Sequence, residues 1–436
     1  HGDTLEPVDL GILALLFLLV ALLSGMRIAF ATAFCGFIGL WVLRGYTPAA
    51  TLSSMIPHGH LAVYPLLVLP LFIMMGYFAF YAGITKDLYW AARQWLGHLP
   101  GGLAIATIFG SAGFAAACGA STASAAVMGR IALPELKKFG YDDKVSAGCV
   151  AAGGTMATMI PPSVLLVIYG FIAEESIGAL LLAGFLPGLL EAFSYSLLLF
   201  FRFKINPSLG PPAPKVSWPG RLKSLKGVWG MITLVFLVMG SIYTGIATPT
   251  EAAAVGAGGA LLLALPRLSS GDFKSAMLET ARATSMIFAI VAGVLIFVHF
   301  LGFTGMPAEL AESIVQIDTK PIIVLIAVLA LYLVLGMFLD GIGMLLLTVP
   351  IILPAIKALG IDPIVFGVLL VRMVEIGLIT PPVGLNVYVL KGVAPHISMS
   401  NMFRGCGWFV LVDLINVAIL IMFPQIILFI PQTMMN

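Results

Sequence analysis

Long apolar segments follow one another along most of this chain, and short polar or glycine-rich stretches separate them. A helix needs about 20 residues to cross the apolar part of a bilayer. Segments of about that length lie at residues 8–23, 66–82, 227–247, 322–339 and 403–430. The pattern therefore predicts an all-α polytopic membrane protein.

Helix-breaking residues recur in the apolar sequence at one constant spacing. The pair Pro161-Pro162 recurs in the second half of the chain as Pro381-Pro382. The same spacing relates Leu133-Pro134 to Leu353-Pro354, Gly140 to Gly360, Asp142 to Asp362 and Gly25 to Gly245. Because the chain has 436 residues, about twice this spacing, we interpret it as two diverged copies of one unit. Duplicated membrane units with interruptions at matching positions are typical of secondary transporters, which bind their substrates at the interruptions.

The residues that join the two copies are basic. From Arg202 to Lys226 the chain has six Lys or Arg residues and no Asp or Glu, which predicts a cytoplasmic loop. The N-terminal tail has Asp3, Glu6 and Asp9 without Lys or Arg, so we expect it outside the cytoplasm. These placements require an odd number of crossings in the first copy and an inverted second copy. The predicted units are a first inverted repeat at 1–204, a basic linker at 205–226 and a second inverted repeat at 227–436.

Composition narrows the possible functions. Hydrophobic residues make up 60% of the chain and charged residues 10%, outside the range of soluble domains. The net charge is +2 and the basic residues are not gathered on a soluble surface, so we expect no nucleic acid partner. The chain lacks the Gly-x-x-x-x-Gly-Lys-Ser/Thr sequence that binds ATP, so transport would draw its energy from an ion gradient. We expect neither enzymatic activity nor an organic cofactor.

Short polar sequences interrupt two of the long apolar segments. The segment at 102–136 is broken around residues 119–124, and the segment at 322–356 is broken around residues 340–343. At the repeat spacing, Ala120 corresponds to Asp340. We interpret both segments as interrupted spans.

Each Pro-Pro pair follows one of these segments. A proline removes a backbone donor and disfavours the helical conformation of the preceding residue, so a helix cannot continue through either pair unaided. Non-helical backbone at membrane depth must be buried in protein or line a cavity. We therefore predict two re-entrant helical hairpins, at about 142–172 and 362–392, whose tips lie inside the protein.

Polar side chains gather at these four interruptions. Unwound backbone exposes carbonyl oxygens that, with hydroxyls and one carboxylate, suit a small hard cation such as Na⁺. Helix N-termini expose N–H groups that suit a carboxylate substrate. Alternatively, the hydroxyls donate only to the preceding helical turn. The side chains are Ser121, Thr122, Ser124, Thr155, Thr158, Ser163, Asp340, Thr380 and Asn386.

A few charged residues lie within the apolar segments, where charges usually mark function. Asp340 is the strongest candidate because it lies at an interruption. Glu251 follows the sequence Thr248-Pro249-Thr250 and either belongs to a site or caps the next helix. Arg372 and Glu375 are three residues apart on one helix and either carry function or neutralise each other.

Five motifs occur in order along the chain: Gly119-Ala120-Ser121-Thr122-Ala123-Ser124; Gly153-Gly154-Thr155 through Ile160-Pro161-Pro162-Ser163; Gly245 through Thr248-Pro249-Thr250-Glu251-Ala252; Asp340 with Pro350 and Pro354; and Ile379-Thr380-Pro381-Pro382. Together they resemble the large membrane subunit of tripartite ATP-independent periplasmic (TRAP) transporters, and the resemblance covers essentially the whole chain. It implies an elevator-type protein of the ion transporter superfamily, with a fixed scaffold and a mobile transport domain in the bacterial inner membrane.

The resemblance also implies a function and partners. It implies Na⁺-coupled uptake of a small organic anion, a carboxylate such as a sugar acid or a dicarboxylate. A periplasmic substrate-binding protein would deliver the anion, and a small four-helix membrane subunit would brace the scaffold. Na⁺ is the one metal that the resemblance implies.

Two Na⁺ sites and a substrate site follow from the resemblance. The first Na⁺ site comprises Ser121, Thr122, Ser124, Gly154, Thr155 and Pro161. The second comprises Asp340, Gly341, Gly343, Thr380 and Pro381. The substrate site comprises Thr158, Pro162, Ser163, Pro382, Asn386 and Arg27. Arg27 departs from the family pattern, which leads us to expect an apolar residue or proline there, so it either meets the substrate or reaches the lipid headgroups.

Two other functions remain compatible with the sequence. A stand-alone Na⁺/dicarboxylate symporter or ion antiporter would have the same architecture and need no binding protein. A channel or an assembly subunit would be a membrane component without coupled transport.

Overall fold

The protein is described here by a computed structural model that covers residues 6–316 and 319–434. Asp3, which supports the expected placement of the N-terminal tail, lies outside the described residues. Across the described ranges the chain forms twenty-one α-helices and three short 3-10 turns, without a β-strand. The predicted all-α class is confirmed.

Ten helices precede the basic linker. They are α1 (Pro7–Leu23), α2 (Ile28–Arg44), α3 (Tyr46–Leu61), α4 (Val68–Tyr81), α5 (Ile84–Leu96), α6 (Gly102–Cys118), α7 (Ser121–Lys138), α8 (Asp143–Thr155), α9 (Val164–Ala173) and α10 (Ile177–Ile205). The 3-10 turns are Tyr64–Leu67, Met156–Thr158 and Pro207–Leu209.

Eleven helices follow α10, and the first of them lies within the basic linker. They are α11 (Trp218–Leu225), α12 (Trp229–Tyr243), α13 (Pro249–Ala264), α14 (Ser270–Thr304), α15 (Met306–Gln316), α16 (Pro321–Gly336), α17 (Gly341–Ala358), α18 (Pro363–Leu378), α19 (Leu385–Val393), α20 (Met399–Met422) and α21 (Gln425–Met434). The first residues of α7 and α17 are separated by the spacing of the sequence motifs, and so are those of α8 and α18. The helix order therefore repeats in register with the motifs.

Several elements are long and apolar enough to cross a membrane. Five qualify among the described residues: Tyr64–Tyr81, Ile177–Ile205, Ser270–Thr304, Gly341–Ala358 and Met399–Met422. The bent pair α11–α12 adds a sixth candidate. Other apolar helices have only 10–17 residues, and many of these lie next to the interruptions. The polytopic prediction is confirmed. The short helices show that several apolar segments are divided at the interruptions and do not form one continuous span.

The segment at 102–138 is a hairpin rather than an interrupted span. Near one end of the pair, the Leu103 N–H donates to Tyr141 Oη at 3.3 Å. Halfway along, Gly110 of α6 faces Met128 of α7. Helices α6 and α7 are therefore antiparallel, and their joint at Gly119 is the tip. Gly119 has a left-handed backbone (φ 66°) and is followed by an extended residue, a combination that reverses the chain.

The proline element at 142–172 crosses the bundle, and the predicted hairpin there is wrong. Helices α8 and α9 lie on opposite sides of the proline turn and run antiparallel along the whole of α10. The contacts that set this register are Asp142 with Leu209, Thr155 with Glu191, Ile160 with Gly188, and Gly170 with Leu180. The proline pair interrupts the helical hydrogen bonds, but the chain continues in the same direction beyond it.

The second half repeats this arrangement. The Tyr332 and Thr348 hydroxyls are 2.5 Å apart, so α16 and α17 form an antiparallel pair with its tip near Asp340. The element at 362–392 runs along α20 and is not the predicted hairpin. Its contacts are Arg372 with Asp413, Gly384 with Phe403, and Lys391 with Ile397.

Glu251 caps a helix. Its carboxylate accepts a hydrogen bond from the Thr248 N–H at 2.8 Å, and Thr248 Oγ1 accepts one from the Glu251 N–H at 3.3 Å. These two bonds form a capping box at the start of α13. The hydrogen bonds from Thr248 lower the pKa of this exposed carboxyl group. Of the two interpretations of Glu251, the structure supports the cap.

Candidate functional site

A cavity of about 330 Å³ lies where the two hairpin tips approach each other. Its polar lining consists of Ser121, Thr122, Thr158, Asp340 and Glu375. Within the described ranges no Lys or Arg lines this cavity. We call it the cation cavity, because its lining offers oxygen atoms and negative charge.

The first hairpin tip packs directly against the first proline turn. The Val164 N–H donates to Gly119 O at 3.2 Å. A side chain at Gly119 would place its Cβ 2.6 Å from Pro162 O, so only glycine permits this approach. The 119–124 interruption and the first proline turn therefore lie directly against each other.

The end of α8 lies beside the first turn of α7. A Cβ on Gly154 would be 3.0 Å from Ser121 O. Thr155 Oγ1 lies 2.6 Å from Ala152 O and 3.1 Å from Glu191 Oε1, both of which can accept its hydrogen. Thr158 Oγ1 donates to Thr155 O at 2.9 Å. These hydroxyls bond to the preceding turn, as the alternative interpretation expected, and Thr158 still borders the cation cavity.

Two further predicted hydroxyls lie in this region. Ser163 caps α9 by accepting a hydrogen bond from the Leu166 N–H at 3.2 Å. Ser124 is fully buried, and its hydroxyl has no hydrogen-bond partner among the residues described. Pro161 and Pro162 are also buried. The residues predicted for the first Na⁺ site therefore form one contiguous group.

Asp340 caps α17 from inside the cation cavity. Its Oδ1 accepts hydrogen bonds from the Ile342 N–H at 2.9 Å and the Gly343 N–H at 3.3 Å. Glycines beside it allow close packing, since a Cβ on Gly341 would be 2.9 Å from Leu165 and one on Gly343 would be 2.2 Å from Ile28. Asp340 thus provides both a helix cap and a carboxylate at the cavity wall.

The second proline turn does not close onto this site as the first one does. Pro381 and Pro382 are exposed, and Thr380 donates to Ile376 O at 2.6 Å. Leu378 and Leu385, on either side of the turn, line the cation cavity, whereas Thr380 and the two prolines do not. The residues predicted for the second Na⁺ site are therefore divided between the cavity and the surface.

The remaining predicted substrate residues lie apart from each other. Asn386 is fully buried, and neither its amide nitrogen nor its oxygen has a hydrogen-bond partner in the part of the chain that is described. Arg27 precedes α2 and its side chain is exposed. Its neighbour Ile28 contacts Gly343, so Arg27 lies near the second hairpin tip.

Arg372 has partners that the sequence analysis did not identify. Its guanidinium lies 2.7 Å from Glu191 Oε2, pairs with Asp413 and donates to Tyr195 Oη at 2.9 Å. Tyr195 Oη in turn donates to Asp413 Oδ2 at 2.7 Å. All of these side chains are buried. The sequence did contain a signal for these partners, since the last long apolar segment of each half includes one acidic residue.

Glu375 is a second functional candidate that the sequence left undecided. Its side chain is fully buried, and neither carboxylate oxygen accepts a hydrogen bond from a described residue. The Ser121 and Thr158 hydroxyls lie beside the carboxylate. Among the described residues Arg372 forms its ion pairs with Glu191 and Asp413 and none with Glu375, although its positive charge still acts on the Glu375 carboxylate. Glu375 adds a buried carboxylate without an ion-pair partner in the described ranges to the cation cavity.

A second cavity of about 310 Å³ adjoins the first and shares Thr122 and Val164 with it. Helices α4 and α14 form one wall, and α6 and α7 form the other. The polar groups include Tyr77, Arg130 and Glu279. The sequence analysis missed both charged residues, because each lies within a helix, Arg130 in α7 and Glu279 in α14, rather than at an interruption. We call this space the Arg130 cavity.

Comparison with known proteins identifies the family. The model of the DctM component of tripartite ATP-independent periplasmic transporters matches residues 14–426. The chain is 32% identical to a C4-dicarboxylate TRAP transporter large permease, DctM of Vibrio cholerae, over 97% of its own length and 98% of the relative's. It is also 32% identical to a sialic acid TRAP transporter large permease, SiaM of the same organism, with 94% and 96% covered.

A solved transporter shares the fold. The crystal structure of YdaH from Alcanivorax borkumensis matches with a TM-score of 0.63 and 14% identity, covering 96% of this chain and 98% of that one. The family match over nearly the whole chain, together with these relatives, shows that this chain belongs to the DctM family and is the large membrane subunit of a TRAP transporter.

Proposed function

We propose that this subunit carries out Na⁺-coupled uptake of a small organic anion that a periplasmic substrate-binding protein delivers. The cation cavity carries the proposal. Three hydroxyls and two carboxylates line it without a basic side chain, and one of the carboxylates, Glu375, has no hydrogen-bond partner among described residues. A buried unpaired carboxylate is costly, and a bound cation would compensate its charge.

Na⁺ would bind on both sides of the two hairpin tips. Ser121, Thr122, Ser124, Gly154, Thr155 and Pro161 would form the first site. Asp340, Gly341, Gly343, Thr380 and Pro381 would form the second once the exposed proline turn moves towards α17. Hard cations prefer such hydroxyl, carboxylate and carbonyl oxygens. Thr158, Pro162, Ser163, Pro382, Asn386 and Arg27 would border one end of the substrate, and the adjoining Arg130 cavity, which none of them lines, would hold the rest of the molecule.

The proposal includes two inverted repeats and an elevator movement. In support of it, the α6–α7 hairpin opens at the end of α10 near Phe203, whereas α17 ends near Glu175 at the other end of α10. The two hairpins thus point at each other from opposite sides of the bundle. A basic linker on the cytoplasmic side and a periplasmic N-terminus fit this orientation.

Partners and location follow from the family. The permease would work in the bacterial inner membrane with a small four-helix membrane subunit, the Q subunit. Transport by the large subunit would depend on the binding protein for its substrate. A stand-alone Na⁺/dicarboxylate symporter or antiporter is the alternative.

Reconstituted uptake tests this proposal. The large and small subunits would be purified together, placed in proteoliposomes and supplied with an inward Na⁺ gradient, the binding protein and a labelled organic anion. We expect uptake only when both Na⁺ and the binding protein are present. Uptake without the binding protein would establish the stand-alone alternative. Equal uptake with K⁺ in place of Na⁺ would refute the coupling.

A further inference from the structure

We propose that the Arg130 cavity is a substrate site, that it selects a monocarboxylate that also bears hydroxyl or ammonium groups, and that it disfavours dicarboxylates. This inference rests on the proposed uptake function and defines the substrate class more narrowly. The cavity volume of about 310 Å³ suits a small organic molecule. Its charged groups lie on opposite walls, and this arrangement determines which molecules fit.

Arg130 supplies the carboxylate-binding group. It lies on α7, on the wall formed by the first hairpin, and it lines the cavity with an exposed side chain. Arg130 forms no ion pair with any residue in the described ranges. A guanidinium that is not otherwise paired can hold a carboxylate through two parallel hydrogen bonds.

Glu279 supplies the opposite wall. It lies on α14, and its Oε1 accepts a hydrogen bond from Tyr81 Oη at 2.9 Å. No Lys or Arg among the described residues forms an ion pair with Glu279. Its negative charge is therefore available to the cavity, where it would accept hydrogen bonds from hydroxyl or ammonium groups.

The two walls together discriminate between classes of acid. A dicarboxylate held by Arg130 would place its second carboxylate against Glu279, and like charges in a confined site repel each other. A hydroxy acid or amino acid would instead donate to Glu279. Aromatic side chains between the walls, Tyr77, Phe80 and Phe114, would cover the carbon skeleton of either molecule. Selection therefore depends on the polar group at the end of the molecule distant from Arg130.

Binding of two probe anions to the purified full-length chain tests the inference. D-Gluconate represents hydroxy monocarboxylates and succinate represents C4-dicarboxylates. Affinities would be obtained from the ligand-dependent rise in melting temperature, with and without Na⁺. We expect gluconate to bind at least about tenfold more tightly than succinate. A preference for succinate, or no binding of gluconate, would overturn the inference.

Substitutions at Glu279 and Arg130 test whether these two residues are responsible for the selection. Glu279→Gln replaces the carboxylate by an uncharged amide of nearly the same size, so the preference for gluconate should fall by about tenfold. Arg130→Gln should weaken the binding of both anions. Glu309→Gln, an exposed acid on α15 outside the cavity, is the matched control and should retain the wild-type preference. An unchanged preference in Glu279→Gln would contradict the assignment.

The same measurements separate this inference from the proposed coupling. If gluconate binds selectively but Na⁺ has no effect on its affinity, the substrate class stands and the Na⁺ proposal fails. If Na⁺ strengthens the binding of succinate instead, coupling stands and the substrate class fails. The ratio of gluconate to succinate affinity in the wild-type chain tests the substrate class even where a variant does not fold.

Discussion

The two proline turns share a sequence motif but differ in their surroundings. In the first turn, Met159 and Ser163 are fully buried, whereas Pro381 and Pro382 of the second turn are exposed. The internal repeat thus determines where the helix ends, whereas the neighbouring helix determines how deeply the proline turn is buried. We infer that the first turn is a sealed part of the bundle and that the second turn is the one that solvent can reach.

Small residues on α10 account for the difference. A Cβ on Gly184 would lie 2.4 Å from Met159 O, and one on Gly188 would lie 2.7 Å from Ile160. At the repeat spacing, the corresponding residues on α20 are Arg404 and Trp408. The second turn therefore lacks glycines at the two positions where glycines admit the backbone of the first turn.

The largest expected effect concerns the ion pairs that hold the second proline element. Arg372→Met would leave Glu191 and Asp413 buried without their cation. Removing one partner of a buried pair costs about 3–5 kcal/mol, so we expect strong destabilisation. Unfolding of the purified variant in detergent, followed by circular dichroism, would measure it. Arg93→Met, which breaks a half-exposed pair with Glu135, should cost no more than about 1 kcal/mol. Equal losses in both variants would contradict this account.

A smaller effect is expected from crowding the first turn. Gly184→Ala would force Met159 O away from α10, and overpacking of this kind costs about 1–3 kcal/mol. The melting temperature of the purified chain would report the loss. Gly240→Ala is the control, because a Cβ there meets nothing within 4 Å and replaces a helical glycine. If Gly184→Ala is as stable as wild type, close packing does not seal the first turn.

The charge at Asp340 distinguishes the second hairpin tip from the first, where Ala120 occupies the corresponding position. Asp340→Asn keeps a side chain that caps α17 well but removes the charge. We expect the apparent Na⁺ affinity to fall by at least about tenfold, or about 1.4 kcal/mol, with little change in fold stability. Na⁺-dependent thermal stabilisation measures both quantities. Asp362→Asn alters a similar cap at the start of α18, outside the cavity, and should leave Na⁺ affinity intact.

The smallest effect concerns helix caps. The second half has a capping box at Glu251, whereas the corresponding helix α2 is preceded by Arg27, which provides no side-chain cap. Because hydrogen bonds lower the pKa of Glu251 in the folded protein, its stabilising contribution is present above the ordinary glutamate pKa and is lost as the pH falls through the lowered value. Glu251→Gln should therefore weaken the dependence of melting temperature on pH in the acidic range. A profile identical to that of wild type would show that the cap contributes nothing measurable.

Sequence patterns predicted the helices and the interruptions but not the chain direction at each interruption. The Pro-Pro pairs were interpreted as hairpin tips because prolines stop helices. The structure places reversal at Gly119 and near Asp340 instead, since reversal depends on backbone dihedral angles and on which helices pack together. Local sequence indicates that a helix ends, and only tertiary contacts determine where the next one goes.

The candidate site was predictable to the extent that its residues lie at interruptions. Ser121, Thr158 and Asp340 were identified in this way and do line one cavity. Glu375 remained ambiguous because Arg372, three residues away, offered an adequate partner on the same helix. The true partners, Glu191 and Asp413, lie on α10 and α20, and their proximity follows only from the register of those helices along the two proline elements.

The Arg372 ion pairs have a mechanical consequence. They join α10 from the first half to α18 and α20 from the second, so separating any one of these helices would expose a bare charge to a medium of low dielectric. Breaking such a buried pair costs about 3–5 kcal/mol, which strongly disfavours separation of these helices in every transport cycle. Whatever displacement carries a substrate across the membrane, these three helices must travel as one rigid piece, and the bending has to occur in the segments that connect this piece to the rest of the protein.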